Sequence, residues 1–204
     1  MRFLIVLPIL AGCRTAAQPL PPDGWFPLAD GTRWVYEVRN GERVERHDMK
    51  ATGGDVRTLE GAEVPYRFVY GRPPWADHDI TKSIYAVPEA GAREFYLDAS
   101  AWSLWHDPPV ALLPPRPAVG AAWAWEGRFE YEAGERDAWA AMTVEAVEEI
   151  EVPAGRFSAL RVRSTYDDGV VVVRWFARGV GCVRLDVEGG SRPRGMKLVE
   201  YALP

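Results

Sequence analysis

Apolar and polar residues alternate in short runs along most of this chain. Segments 32–39, 64–70, 82–87, 93–97, 156–166, 170–177, 182–187 and 196–202 are rich in Val, Tyr, Trp and Phe and are bounded by turn residues. That pattern predicts β-strands. Asn40-Gly41 and Asp168-Gly169 read as two-residue hairpin turns, because type I′ geometry needs positive φ at both central positions, so neighbouring strands run antiparallel. Residues 136–149 are ambiguous: their Ala and Glu content favours helix, but Met142, Val144 and Ala146 alternate and lead into the β-rich stretch 150–152, which favours strand. Seventeen prolines and nineteen glycines leave little uninterrupted length for helix elsewhere. The expectation is an all-β fold, a large twisted antiparallel sheet or half-barrel of about ten strands.

The chain also echoes itself. Ala29-Asp30-Gly31-Thr32-Arg33-Trp34-Val35-Tyr36-Glu37 aligns without a gap on Ala118-Val119-Gly120-Ala121-Ala122-Trp123-Ala124-Trp125-Glu126. A second echo pairs Ile84-Tyr85-Ala86 and Gly91 with Trp175-Phe176-Ala177 and Gly181. Two echoes in the same order suggest a duplicated β-meander. Residues 25–204 are then a single β domain built from halves 25–113 and 114–204, joined through the proline-rich stretch 107–117 and sharing one twisted sheet.

The N-terminal segment has a different character. Arg2 supplies a positive charge, residues 3–10 are apolar, and Leu10, Ala11, Gly12 and Cys13 form a lipobox, the tetrapeptide cut before a diacylglyceryl-cysteine. Eight residues cannot span a bilayer, which takes about 20. Residues 1–12 therefore read as a lipoprotein signal peptide, Cys13 as the site of lipid attachment, and 13–24, with Pro19, Pro21 and Pro22, as a semi-extended tether. Two or three acyl chains on one cysteine anchor a protein to a membrane almost permanently. Arg14 is not the aspartate associated with inner-membrane retention, which points to the periplasmic side of the outer membrane in a Gram-negative cell. With Cys13 acylated, Cys182 is the remaining thiol and no intrachain disulfide can form. The formal charge of −5 excludes a nucleic-acid partner, and it gives no reason for the folded part to dock on anionic lipid.

Reactive chemistry is hard to find. The three histidines, His47, His78 and His106, sit among loop-like residues, and Asp77-His78-Asp79 cannot aim three side chains at one metal from one turn. Trp105-His106-Asp107 could orient a histidine, but no serine or cysteine lies in a nucleophile-elbow context. Adjacent pairs such as Glu148-Glu149 and Asp167-Asp168 would face opposite sides of a strand. Cys182 follows a glycine inside an expected strand and reads as a small core residue. No metal, cofactor or enzymatic activity is expected. The aromatic surplus carries more: Trp34 and Tyr36 share a strand face, as do Trp123 and Trp125, so these four fill the concave side of the sheet or line a ligand pocket. Trp102 and Trp105 stand three apart, where alternation does not bury both, and either cap the core or contact a ligand or partner.

Phe26-Pro27-Leu28, Gly31, Trp34 and Tyr36, then Val152-Pro153-Ala154-Gly155-Arg156-Phe157, then Trp175-Phe176-Ala177-Arg178-Gly179-Val180-Gly181 together resemble a group of uncharacterised bacterial envelope lipoproteins. That group resembles, more distantly, half-barrel lipoprotein carriers of the LolA type. The resemblance implies a curved antiparallel sheet with an apolar concave face, although helices covering that face are not evident in this sequence. Two functional expectations follow: a membrane-anchored lipoprotein binding an apolar ligand or partner segment on the concave face, or an interaction module of an envelope assembly that pairs through a sheet edge.

Overall fold

The structure, a computed structural model, describes residues 24–53, 56–59, 62–65, 67–71, 80–87, 91–99, 102–131, 134–189 and 194–204. The expected lipobox residues Leu10, Ala11 and Gly12, the expected acylation site Cys13 and the Asp77-His78-Asp79 cluster lie outside them. Fourteen strands are described: β1 (Arg33–Asn40), β2 (Arg43–Thr52), β3 (Val56–Leu59), β4 (Ala62–Pro65), β5 (Arg67–Gly71), β6 (Ile80–Val87), β7 (Gly91–Ala99), β8 (Trp102–Leu113), β9 (Ala122–Tyr131), β10 (Gly134–Val152), β11 (Gly155–Tyr166), β12 (Val171–Ala177), β13 (Gly181–Glu188) and β14 (Arg194–Ala202). The described residues contain no helix, and none long and apolar enough to cross a membrane.

The protein is all-β and antiparallel. Twelve strands follow one another in a single sheet, β1-β14-β13-β12-β11-β10-β9-β8-β7-β6-β5-β2, and β2 pairs back onto β1, while β3 and β4 form a separate hairpin. The rolled sheet is not evenly sewn. β10 and β11 pair over almost their whole lengths, whereas β2 meets β5 through three residue pairs and β8 meets β9 through four. Alternate inward positions of strands rolled in this way meet at the centre and make the core.

Residues 136–149 are strand, as alternation indicated. β10 shows Ala138, Ala140, Met142 and Val144 buried between exposed neighbours. Burial of one face outweighs the helical propensity of Ala and Glu, since propensity is worth only a few tenths of a kcal/mol per residue. The turns differ slightly from expectation. Asn40 pairs with Arg43, so the first loop is Gly41-Glu42. In the second, Gly169 N–H donates to the Tyr166 carbonyl with Gly169 at φ 80°, a three-residue loop whose last position is left-handed.

The run β1-β2-β5-β6-β7-β8 and the run β9 to β14 are each a six-stranded meander, and they meet at β1/β14 and β8/β9. The segments that echo one another open the two runs, and their turns make the same hydrogen bonds. Gly31 N–H donates to Ala51 O (3.0 Å) and Thr32 N–H to Ala29 O (3.0 Å); Gly120 N–H donates to Val144 O (2.9 Å) and Ala121 N–H to Ala118 O (2.9 Å). Both glycines have positive φ, 92° and 86°. The second echo falls in the fourth and fifth strands of each run, β6/β7 and β12/β13.

The proline-rich stretch is mostly strand, not linker. β8 continues through Pro108 and Pro109 to Leu113. The prolines cost little because the β7 register jumps there, from Val110 opposite Glu94 to Trp105 opposite Tyr96, so no ladder N–H is lost. The bulge presses on β9 at Gly127, where a Cβ would collide with the Asp107 carbonyl and the Pro108 ring.

Candidate functional site

The interior of the rolled sheet holds two apolar clusters. The larger includes Trp34, Tyr36, Ile84, Leu160, Phe176 and Leu198; the smaller consists of Val110, Trp125, Phe129, Ala138, Ala140 and Met142. Half-buried Trp123 and Tyr166 touch both.

The smaller cluster is closely packed. Trp125 stacks on Phe129 with ring centroids 5.0 Å apart and planes at 24°, and the edge of His106 meets both rings at 6.2 and 5.3 Å. Stacked and edge-to-face rings of this kind add to what area burial alone supplies. Arg136 lies over the Phe129 ring, 4.9 Å from its centre. Trp125 Nε1 donates to Pro108 O (2.7 Å) and Trp123 Nε1 to Ala111 O (3.0 Å), so both indoles are held on the β8 backbone.

The larger cluster encloses a hollow. A cavity lined by Phe26, Trp34, Tyr36, Phe176 and Met196, among others, has a free volume of about 70 Å³ within an envelope of about 670 Å³ that includes its opening to solvent. The enclosed part is about half of the ~150 Å³ apolar cavity that takes up benzene. A group of a few carbon atoms fits there as the protein stands, and anything longer extends through the opening. Residues at the chain's start cover one end: Gly24 O accepts from Gly179 N–H (2.7 Å), and Trp25, Phe26 and Leu28 pack on the cluster. Phe26 meets Phe176 at 6.1 Å.

Two of the sequence candidates line this cavity. Trp34 and Tyr36 project inward from β1, and each has its polar tip fixed two strands away, on the β12/β13 turn and on β13. Trp34 Nε1 donates to Val180 O and Tyr36 OH to Cys182 O, both at 2.7 Å. The rings therefore present apolar faces to the hollow without leaving a buried donor unmet. Burial, and secondarily the neighbouring Cys182 thiol, pushes the Tyr36 phenol well above its ordinary pKa. Trp123 and Trp125 belong instead to the packing around the smaller cluster. Trp105 is exposed on the outer face of β8, and Trp102 begins that strand with its side chain outside the description. The structure thus brings Trp34 and Tyr36 to one cavity, and Trp105, Trp123 and Trp125 are not among the described residues that line it.

A polar layer separates the hollow from the smaller cluster. Arg174 on β12 and Glu94 on β7 are the charged residues in the cavity lining. Arg174 NH1 donates to Ser164 Oγ (3.3 Å), and Arg174 is also hydrogen bonded to Tyr166. Burial pulls the guanidinium pKa down, but the Tyr166, Cys182 and Glu94 side chains and that hydrogen bond outweigh it, and the group sits above its ordinary value. Glu94 Oε1 lies 3.5 Å from His106 Nε2, and both side chains are buried. His106, read from the sequence as a loop residue, is on the inner face of β8.

The remaining polar candidates do not converge. His47 contacts Glu45 (2.9 Å) on β2. Cys182 is buried with its Sγ against Arg184 O (3.2 Å), the setting of a core residue. Glu148 accepts from Trp175 Nε1 (2.5 Å) on the outside of the sheet. Among the described residues no group of three His, Cys, Asp or Glu side chains is placed to hold a metal. The arrangement can bind a small apolar group.

No protein-family model and no curated protein matches the sequence. Two solved structures match at low identity. A candidate lipoprotein from Parabacteroides distasonis is 13% identical with a TM-score of 0.42, covering 88% of this chain and 99% of that one. A candidate exported protein with a YmcC-like fold from Bacteroides fragilis is 9% identical with a TM-score of 0.41, covering 89% of this chain and 100% of that one. Likeness at this level transfers no residue role.

Sequence reasoning missed Glu94, Arg174 and Ser164. One signal was present. Arg174 interrupts the run Val170-Val171-Val172-Val173-Arg174-Trp175-Phe176, at the same parity as Val172 and Phe176. A charge on the inward face of the most apolar strand marks a polar site inside the core. Glu94 carried no comparable signal, because the register of β7 is set by its bulges.

Proposed function

We propose that this chain is a bacterial lipoprotein, anchored through acyl groups on Cys13 after cleavage of residues 1–12, whose β domain binds an apolar ligand inside its rolled sheet without enzymatic turnover. The observation that carries the binding part is the apolar hollow beside Trp34 and Tyr36. The lipobox carries the anchoring part. Kinship with the envelope lipoproteins that share the Phe26-Pro27-Leu28, Val152-to-Phe157 and Trp175-to-Gly181 pattern, and more distantly with LolA-type carriers, accords with this reading. In a Gram-negative cell the protein faces the periplasm from the outer membrane.

Native mass spectrometry of the chain carrying Cys13→Ser, recovered from a bacterial envelope, tests the binding part. A retained apolar molecule that Trp34→Ala abolishes is the expected result, and a homogeneous empty protein rejects it. Labelled palmitate tests the anchor: the native chain incorporates it and Cys13→Ser does not. The alternative, strand addition at a sheet edge, would use the side of β2 away from β1, where the described pairing to β5 is limited to Lys50, Ala51 and Thr52.

A further inference from the structure

We infer that the outer face of the sheet carries a second, polar site: a groove across β1, β14 and β13 that binds a small phosphomonoester. The apolar hollow lies on the inner side of these strands, and the inference does not depend on what fills it.

Register builds the groove. On β14, Gly195 stands between Arg39 of β1 and Asp186 of β13, and Lys197 stands between Glu37 and Arg184. Val38, Met196 and Leu185 alternate with these residues and are buried, so the two charged rows face outward. Gly195 leaves its place on the central strand empty of side chain, and a Cβ there would meet the Leu185 carbonyl at 2.7 Å and Asp186 Oδ1 at 3.0 Å. The result is a depression of about 270 Å³, bordered by the flanking charged residues and by Arg194 at the start of β14. Small-molecule sites begin near ~300 Å³, so the groove suits a compact polar ligand.

Charge decides the class of ligand. Elsewhere on the outside of the sheet arginines are met across strands by carboxylates, Arg33 and Arg46 by Glu200, and Arg161 and Arg163 by Glu145. In the groove Arg184 is fixed by Asp186 and by the Trp175 ring, whose centre lies 4.6 Å from its guanidinium carbon. Its Nε is buried without a hydrogen-bond partner. Among the described residues, the side chains of Arg39, Arg194 and Lys197 have no ion-pair or hydrogen-bond partner. The lining thus sets four cations, Arg39, Arg184, Arg194 and Lys197, against two carboxylates, Glu37 and Asp186, a local charge of +2 in a chain of net charge −5. A concave site lined by one sign of charge focuses the field that draws the opposite sign. A phosphomonoester carries about −1.5 to −2 at neutral pH and balances that excess, which a monocarboxylate does not. Guanidinium forks and a lysine ammonium are also the donors that suit phosphate oxygens.

The test uses the full chain carrying Cys13→Ser, so that no acyl anchor confers membrane binding. Calorimetric titration at neutral pH and low salt compares glycerol phosphate with glycerate, a monocarboxylate of similar size. Glycerol phosphate should bind about tenfold or more tighter, the scale of one charge-assisted hydrogen bond. A flotation arm uses phosphatidylcholine vesicles with and without phosphatidate, a lipid that ends in a phosphomonoester. Binding in the first arm alone assigns the groove to a dissolved ligand, and binding to phosphatidate vesicles assigns it to a lipid head; either supports the site. The variant Arg39→Gln/Lys197→Gln alters two exposed side chains and should weaken binding about tenfold or more. Arg128→Gln/Arg156→Gln removes the same charge at exposed positions outside the lining and should stay within about twofold of the parent. Equal losses in the two variants would trace binding to diffuse charge and overturn the site. Glycerate binding as tightly as glycerol phosphate overturns the ligand class, and no binding in either arm overturns the inference altogether.

Discussion

The two aromatic clusters inside this sheet are made of the same kinds of residue and do opposite things. Around Trp125 the rings meet one another, with Phe129 stacked and His106 edge-on. Around Trp34 and Tyr36 the rings reach past one another to backbone carbonyls of the β12/β13 turn and β13, and a cavity opens between their faces. Trp34 and Tyr36 are anchored two strands away, whereas Trp125 and Trp123 are anchored on the adjacent strand β8. Apolar surplus alone does not distinguish core from binding site.

The contrast can be broken most strongly at Trp125. Replacement by Ala removes the stacked partner of Phe129 from a closely packed site, and chemical unfolding should show a loss of about 3–5 kcal/mol. Enlargement should separate the two regions. Ala140→Leu, in the smaller cluster, should cost about 1–3 kcal/mol by overpacking, whereas Val69→Leu, beside the hollow, should stay within about 1 kcal/mol of the parent. Equal costs at the two positions would mean that the hollow does not persist in solution. Gly127→Ala probes the bulge that props the smaller cluster from outside, and should lose about 1–3 kcal/mol through collision with Asp107 and Pro108, with thermal unfolding as the measure.

The smallest effect is expected at Tyr36. Tyr36→Phe deletes the hydrogen bond to Cys182 O and should cost about 1 kcal/mol. Its pH dependence carries a sign. The buried phenol has its folded pKa raised well above the unfolded value of 10.0, so the folded state keeps its proton after the unfolded chain has released it. The contribution is fully present below the unfolded pKa and falls away as pH rises above it. Urea midpoints of the parent should therefore decline more steeply in that alkaline range than those of Tyr36→Phe, and parallel profiles would contradict the burial argument.

Much of the fold is legible in the residues. The Met142, Val144 and Ala146 alternation marked β10 against its own helical propensity, because a half-buried strand has period two whatever its composition. The glycines at 31 and 120 marked matching turns, since both positions need positive φ. The site was less legible. Trp34 and Tyr36 were identifiable as inward rings but not separable from Trp123 and Trp125, because parity reports the face of a strand and not what stands opposite. His106 was misplaced through its prolines, which signal a loop locally and were accommodated by a register jump that only the partner strand reveals.

Local chemistry settles the strands and their inward faces, because periodicity and φ preference act over a few residues. Tertiary pairing alone decides that the sheet rolls until β2 returns to β1, that Glu94 and Arg174 line one cavity though far apart in sequence, and that one aromatic cluster encloses a hollow. Those outcomes depend on registers, bulges and facing distances, which are set jointly by strands remote along the chain.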